Sequence, residues 1–303
     1  MKLKDTIRFI KKYFSKQKKL FIKSFILLFF SSIIGVSFGY LLGLATENVV
    51  LLADYIKSLY TSQGSNGLYY HTSSLANSAT DNSYRYAGAN PNNYVCFGST
   101  ASTCPSDNLY RIIGVFGNQV KLIKNTRYGM YAWDSGGSNT WSSSTLNTGT
   151  LNGTYISGLS STWQNKIATT NWKVGGMSQN TSATAKQYYD KEIGSSSSST
   201  TYSAKIGLMY VSDYGFAASL DYWTTELYNY EPSKSSNWMY LGGIEWTISR
   251  GSNNSSSAFY VGFGDASAAT VSGSVAVRPV FYLTSSTQYV SGSGTQSDPI
   301  RIN

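Results

Sequence analysis

Catalysis needs nucleophiles, proton carriers or metal ligands in workable combinations, and this chain of 303 residues carries few. It has one histidine, His71, and two cysteines, Cys96 and Cys104. A lone imidazole without a neighbouring Cys or paired carboxylate is no metal site, and it does not make a Ser-His-Asp triad where no Gly-x-Ser-x-Gly elbow occurs. No phosphate-binding loop and no His-Glu-x-x-His helix is present. Asp213 with Asp221, and Glu226 with Glu231, are the acidic pairs that could act on a glycosidic bond. Catalytic pairing depends on geometry, and scattered acids are read as solvated charges. No catalytic residue, cofactor or metal is expected, which leaves recognition. Tryptophan and tyrosine bury much apolar area at small entropic cost and keep a polar handle. Within residues 222–260, Trp238, Tyr240, Arg250 and Tyr260 flank polar loops and are the candidate ligand contacts. Trp246 lies on an apolar strand and is assigned to packing, and Trp223 is left open. Arg278, in an otherwise apolar stretch before Pro279, is read as a structural arginine that pairs with a carboxylate.

The strongest element signal is residues 24–45, SFILLFFSSIIGVSFGYLLGLA, 22 residues without charge, Pro or His. As a helix this run would extend about 33 Å, enough to cross a hydrocarbon core of ~30 Å. Residues 1–23 hold nine basic side chains and one acidic, a net +8 of the chain's +9. Basic flanks stay cytoplasmic and attract anionic headgroups. Leu3, Ile7, Ile10 and Phe14, spaced among lysines, make this tail an amphipathic surface helix. The expectation is a single-pass protein of the cell membrane with a cytoplasmic N-terminus, its basic charge directed at the lipid bilayer and not at nucleic acid. Gly43 and Ala45 offer a rival reading, cleavage after Ala45, but the length of the apolar run favours an uncleaved signal-anchor. Gly35, Gly39 and Gly43 stack small residues on one helix face and predict a homodimer through the membrane helix.

Residues 46–82 read as a stalk helix over 47–60 and then a Ser/Asn/Gly-rich linker that contains His71. Residues 83–303 read as one extracellular domain of α+β class, built of short antiparallel sheets and helices. In an exported domain, cysteines enclosing a turn-rich loop predict a Cys96–Cys104 disulfide; two free thiols, or half of a zinc site, are the alternatives. Residues 109–115 and 119–124 alternate around Gly117–Asn118 and predict a hairpin. Helices are expected over 142–156, 160–168 and 182–193, the last stopped by Gly194. Strand-like stretches fall at 169–176, 205–211, 238–241, 245–249, 258–263 and 274–283, where Pro279 requires an edge or a bulge.

The order YRIIGV, KLI, LNGTY, KIGLMYVSDYG, WTIS and VRPVFYL resembles a family of membrane-anchored or secreted surface proteins of Gram-positive and related bacteria. The closing Val-Arg-Pro-Val strand, preceded by a Trp strand and an aromatic strand, is similar to the C-type-lectin-type fold shared by formylglycine-generating enzymes and retroelement variable proteins. That resemblance implies helices around small antiparallel sheets, with residues 250–273 as the segment matching the variable region. The enzyme's C-terminal cysteines are missing here, so its activity does not carry over. The lectin calcium motif Glu-Pro-Asn departs at its third position, in Glu231-Pro232-Ser233. The function expected is a cell-surface binding or adhesion protein whose outer domain takes a glycan or a protein. An extracellular glycoside hydrolase and a structural, pilin-like envelope component are the rivals.

Overall fold

A computed structural model describes residues 3–45, 49–179, 181–194 and 199–303; within the first helix, the side chains of residues 21, 25, 29 and 33–45 lie outside that description. The chain divides into two units, Met1–Val49 and Val50–Asn303. The first is helix α1, Leu3–Ala45. Among the described residues no helix is long and apolar enough to cross a membrane. Most of the expected span, with Gly35, Gly39 and Gly43, lies outside the described side chains.

The second unit has mixed α+β architecture, with mainly antiparallel sheets. It begins with α2, Leu52–Ser58, followed by strands β1 Leu68–Tyr70, β2 Tyr84–Tyr86, β3 Tyr94–Cys96, β4 Leu109–Phe116, β5 Gln119–Lys124 and β6 Gly129–Ala132. A π-helical segment Leu146–Tyr155 and α3, Ser161–Asn165, lead to β7 Thr170–Val174, α4 Ala185–Glu192, β8 Thr200–Ala204, β9 Ile206–Gly207 and α5 Val211–Phe216. The chain ends with β10 Glu245–Arg250, β11 Ser257–Gly262, β12 Asp265–Thr270, β13 Ser274–Val277, β14 Val280–Tyr282, β15 Tyr289–Ser291 and β16 Arg301–Ile302. One seven-stranded sheet runs β1-β2-β4-β5-β14-β9, with β3 also on β4; a five-stranded sheet runs β12-β11-β10-β13-β6, and β7–β8 and β15–β16 are separate ribbons.

The β4–β5 hairpin forms as its alternation predicts, with Phe116 opposite Gln119 and Gly117 in the left-handed region. Residues 274–283 are not one strand. The chain leaves the five-stranded sheet after Val277 and joins the seven-stranded sheet at Val280, so Arg278–Pro279 is the crossover between the two. Proline suits that point because it has no N–H to give a ladder; its carbonyl accepts from Lys124 N at 3.1 Å. Arg278 pairs with the Glu245 carboxylate at 2.7 Å, as the apolar setting predicts. The helix over 182–193 appears as α4, opened by a Thr184/Gln187 capping box. Within the helix expected over 142–156, Leu146–Tyr155 is π-helical and not α-helical. Asn152 and Thr154 each donate to the carbonyl five residues back, and the Asn152 amide exchanges two hydrogen bonds with the Ile206 backbone on β9.

The stalk and linker over 46–82 are corrected from position 50 onward. Leu52, Ala53 and Ile56 are buried and α2 packs on β4 and β5, while Tyr55 stacks on Tyr289 at 3.7 Å between ring centroids. Leu68, His71 and Ala79 are buried, and β1 is the edge strand of the seven-stranded sheet. The polar residues that suggested a linker serve turns: Gln63 closes a two-way bond with the Tyr70 backbone, and Asn66, Asn77 and Asn82 take left-handed φ values.

Candidate functional site

Of the four candidate contact residues, Arg250 lines a hollow and the other three do not line it. Trp238 is corrected: it is 3% exposed, its indole N–H donates to Tyr86 O at 2.8 Å, and its ring packs on Arg111. A ring so placed belongs to the core. Tyr240 and Tyr260 are half-buried, Tyr240 within 5.7 Å of Lys234 Nζ and Tyr260 paired in register with Trp246. Trp246 and Trp223 are both fully buried, which places Trp223 in the core as well.

Arg250 ends β10, and its backbone is fixed there. Its N–H donates to Gly175 O at 3.1 Å, and Gly176 passes so close that a Cβ would lie 1.6 Å from Arg250 O. The side chain is half-buried and, among the described residues, has no hydrogen bond or ion pair. It faces a hollow of about 190 Å³ with Thr140, Trp141 and Ser142 on one side and Thr201 and Tyr202 of the β7–β8 ribbon on the other. Asn139 shapes the rim: its amide nitrogen donates to the carbonyls of Gly251, Asn254 and Ser257, each at 2.9 Å, and so gathers the turn that follows Arg250. Trp141 is 2% exposed and packs on Trp133 at 5.0 Å, yet among the described residues its indole N–H finds no acceptor. An unpaired buried donor costs about 1–3 kcal/mol.

A larger hollow of about 760 Å³ lies between the disulfide loop and β15–β16. Cys96 and Cys104 are joined by a disulfide. Both terminal nitrogens of Arg301 are already given to Ala101 O and Ser102 O, at 2.8 and 2.6 Å, so the cation of this hollow is spent on holding the loop.

The acidic pairs do not converge. Asp213 is buried between Arg85 and Lys121, while Asp221 is exposed; Glu226 accepts from Ser182 and Glu231 pairs with Lys234, both on the surface. Among the described residues no group of three or more His, Cys, Asp or Glu could hold a metal ion. Sequence reasoning missed Trp141 and Tyr202, which lie about 110 and 50 positions before Arg250 and line the same hollow only through the tertiary fold. No protein-family description, no curated protein and no solved structure matches the chain.

Proposed function

We propose that the chain is a cell-surface binding protein, anchored by residues 24–45 with its N-terminus in the cytoplasm, whose α+β unit takes a glycan or protein ligand in the Arg250 hollow. The observation that carries this reading is the Arg250 guanidinium, half-buried and without a partner among the described residues, in a hollow that also presents hydroxyls, aromatic rings, Asn139 and Val174. A sugar suits such a lining. Its hydroxyls bond to Thr, Ser and guanidinium groups, and its C–H face stacks on an aromatic ring. The hollow admits about one sugar ring, which favours a glycan over a protein surface. The uncharged run at 24–45 and the +8 before it support the anchor. The resemblance to bacterial surface proteins and to the C-type-lectin-type fold supports the same location and use. The hydrolase rival loses support because Asp213 is occupied in buried ion pairs. The envelope-component rival and the helix-mediated homodimer rest on Gly35, Gly39 and Gly43 alone.

Intact cells displaying the full chain should capture members of a labelled glycan panel. External protease should strip that capture, and Arg250→Ala should abolish it without lowering surface display. Equal capture by the Arg250→Ala cells would remove the hollow from the reading; capture and chain both resistant to external protease would remove the topology.

A further inference from the structure

A second basic site lies at the other end of β10. Arg111, on β4, is 6% exposed and has no carboxylate partner among the described residues. Its Nε donates to Asn93 Oδ1 at 2.7 Å, and its terminal nitrogens reach Pro91 O at 3.1 Å and Trp238 O at 3.5 Å. A guanidinium has five N–H donors, so two are left over after these three neutral acceptors. The guanidinium carbon lies 4.2 Å from the Tyr94 ring centroid and 4.7 Å from that of Trp238. Cation–π contacts soften the burial of charge but do not neutralise it. Burial pulls the Arg111 pKa down to about 10; Tyr94 opposes this, and the positive charge of Arg278 adds to it.

Arg127 stands beside it, its side chain 35% exposed. It gives Nε to Glu245 Oε1 at 3.0 Å and one terminal nitrogen to Leu241 O at 3.2 Å. It lies across Gly243, where a Cβ would come within 2.7 Å of the guanidinium. Glu245 is shared, since its other oxygen holds Arg278 at 2.7 Å. Two arginines therefore share one carboxylate, and Arg111 has none among the described residues. Arg111 and Arg127 open on a hollow of about 460 Å³ that also presents Asn125, Thr126 and Gln296.

We propose that Arg111 and Arg127 form an oxyanion site, separate from the Arg250 hollow, that takes the carboxylate or phosphate group of an acidic sugar. The free N–H groups of the two forks supply paired donors for such a group, and the amide and hydroxyl side chains around them supply donors and acceptors for ring hydroxyls. Bound oxyanion would restore the charge balance that the protein leaves open.

Glucose, glucuronate and glucose 6-phosphate differ only at C6 and separate the two sources of charge. Saturation-transfer difference NMR on the full chain in non-ionic detergent would measure each. The expected result is binding of one or both charged sugars and none of glucose, weakened about tenfold or more by Arg127→Gln and by Arg111→Lys. The preferred sugar then identifies carboxylate or phosphate as the natural group. Arg127→Gln leaves Glu245 paired with Arg278, and an unchanged thermal melt confirms that this variant folds. Arg250→Ala should leave this binding unaltered, which distinguishes failure here from failure of the other hollow. Equal signals for all three sugars, or charged-sugar binding that survives Arg127→Gln, would overturn the proposal.

Discussion

His71 makes the stability of the second unit pH-dependent at and below the range where a free imidazole titrates. Its Nδ1 accepts the Ala79 N–H at 3.1 Å, and its ring packs against Phe216 and Trp223, both at 4.8 Å. Burial holds its pKa well below the usual value; nearby Arg85 pushes the same way, and Asp81 only partly opposes them. The folded state therefore keeps the ring neutral where the unfolded chain protonates near pH 6.5. A depressed base pKa means that the unfolded state binds more protons, so stability falls as pH drops below 6.5. At pH 5 the unfolded chain has gained about 2 kcal/mol from this one group, provided the folded ring stays neutral. Glu192 acts with the opposite sign, because burial raises its pKa and the folded state then holds the extra proton. Asp81 enters later: burial alone would raise its pKa, but Arg85 brings it down to about 2, so its stabilisation is lost only below pH 4. Urea titrations of wild type and His71→Gln at pH 7.5, 6.5, 5.5 and 5.0 isolate the histidine by difference. Wild type should lose about 2 kcal/mol more than the variant between pH 7.5 and 5.0. Parallel profiles would refute the argument, whatever the absolute cost of the substitution.

Two further outcomes follow from the core and the disulfide. Trp246 is fully buried and donates its indole N–H to Tyr131 O at 3.0 Å, so Trp246→Ala should cost about 3–5 kcal/mol in denaturant titration; a loss under 1 kcal/mol would contradict that packing. The Cys96–Cys104 bridge should appear as a mass two hydrogens below the dithiol form, and reducing it should cost roughly 2–3 kcal/mol. Two thiols that alkylate without reductant would refute the bridge.

Local signals carried into the fold where local physics decides them. The Gly117–Asn118 turn, the capped α4 and the disulfide are each settled within a dozen residues, and each is present. The pairing of Arg278 with a carboxylate was also legible, since an isolated arginine between apolar residues needs a counter-charge. What failed was long-range. The Ser/Asn/Gly content of residues 62–82 looked like a linker because composition does not reveal that Leu68 and His71 lie under a sheet edge. Trp238 looked like a surface aromatic because it is flanked by polar loops, and its true partner, Arg111, is 127 positions away. The single strand expected over 274–283 divides because two sheets compete for it, and only their packing shows where the change occurs.

The buried charges of residues 50–303 fall into closed sets and open ones, and the contrast bears on function. Arg85 and Lys121 hold the two oxygens of Asp213 at 3.1 and 2.5 Å, and Asp81 takes a further Arg85 nitrogen at 2.7 Å. Two cations thus meet two carboxylates, tying β2 and β5 to α5. Glu192 accepts the Val211 and Ser212 N–H groups and the Ser249 hydroxyl, joining α4, α5 and β10. Such closed sets add little net stability, but breaking one costs ~3–5 kcal/mol, so they act against misplacement of the elements that carry them. Lys124, also buried, instead gives its amine to the Asp107 carbonyl. Arg278 receives a carboxylate, from Glu245. Among the described residues Arg111 and Arg250 receive none, and both border hollows. With β-strands rising ~3.3 Å per residue, Glu245 and Arg250 stand about 17 Å apart along β10, so the two open arginine sites lie near opposite ends of one strand. An acidic chain a few sugars long could reach from one to the other, and such a ligand should bind far more tightly than either of its monosaccharides tested singly only if both arginines engage it.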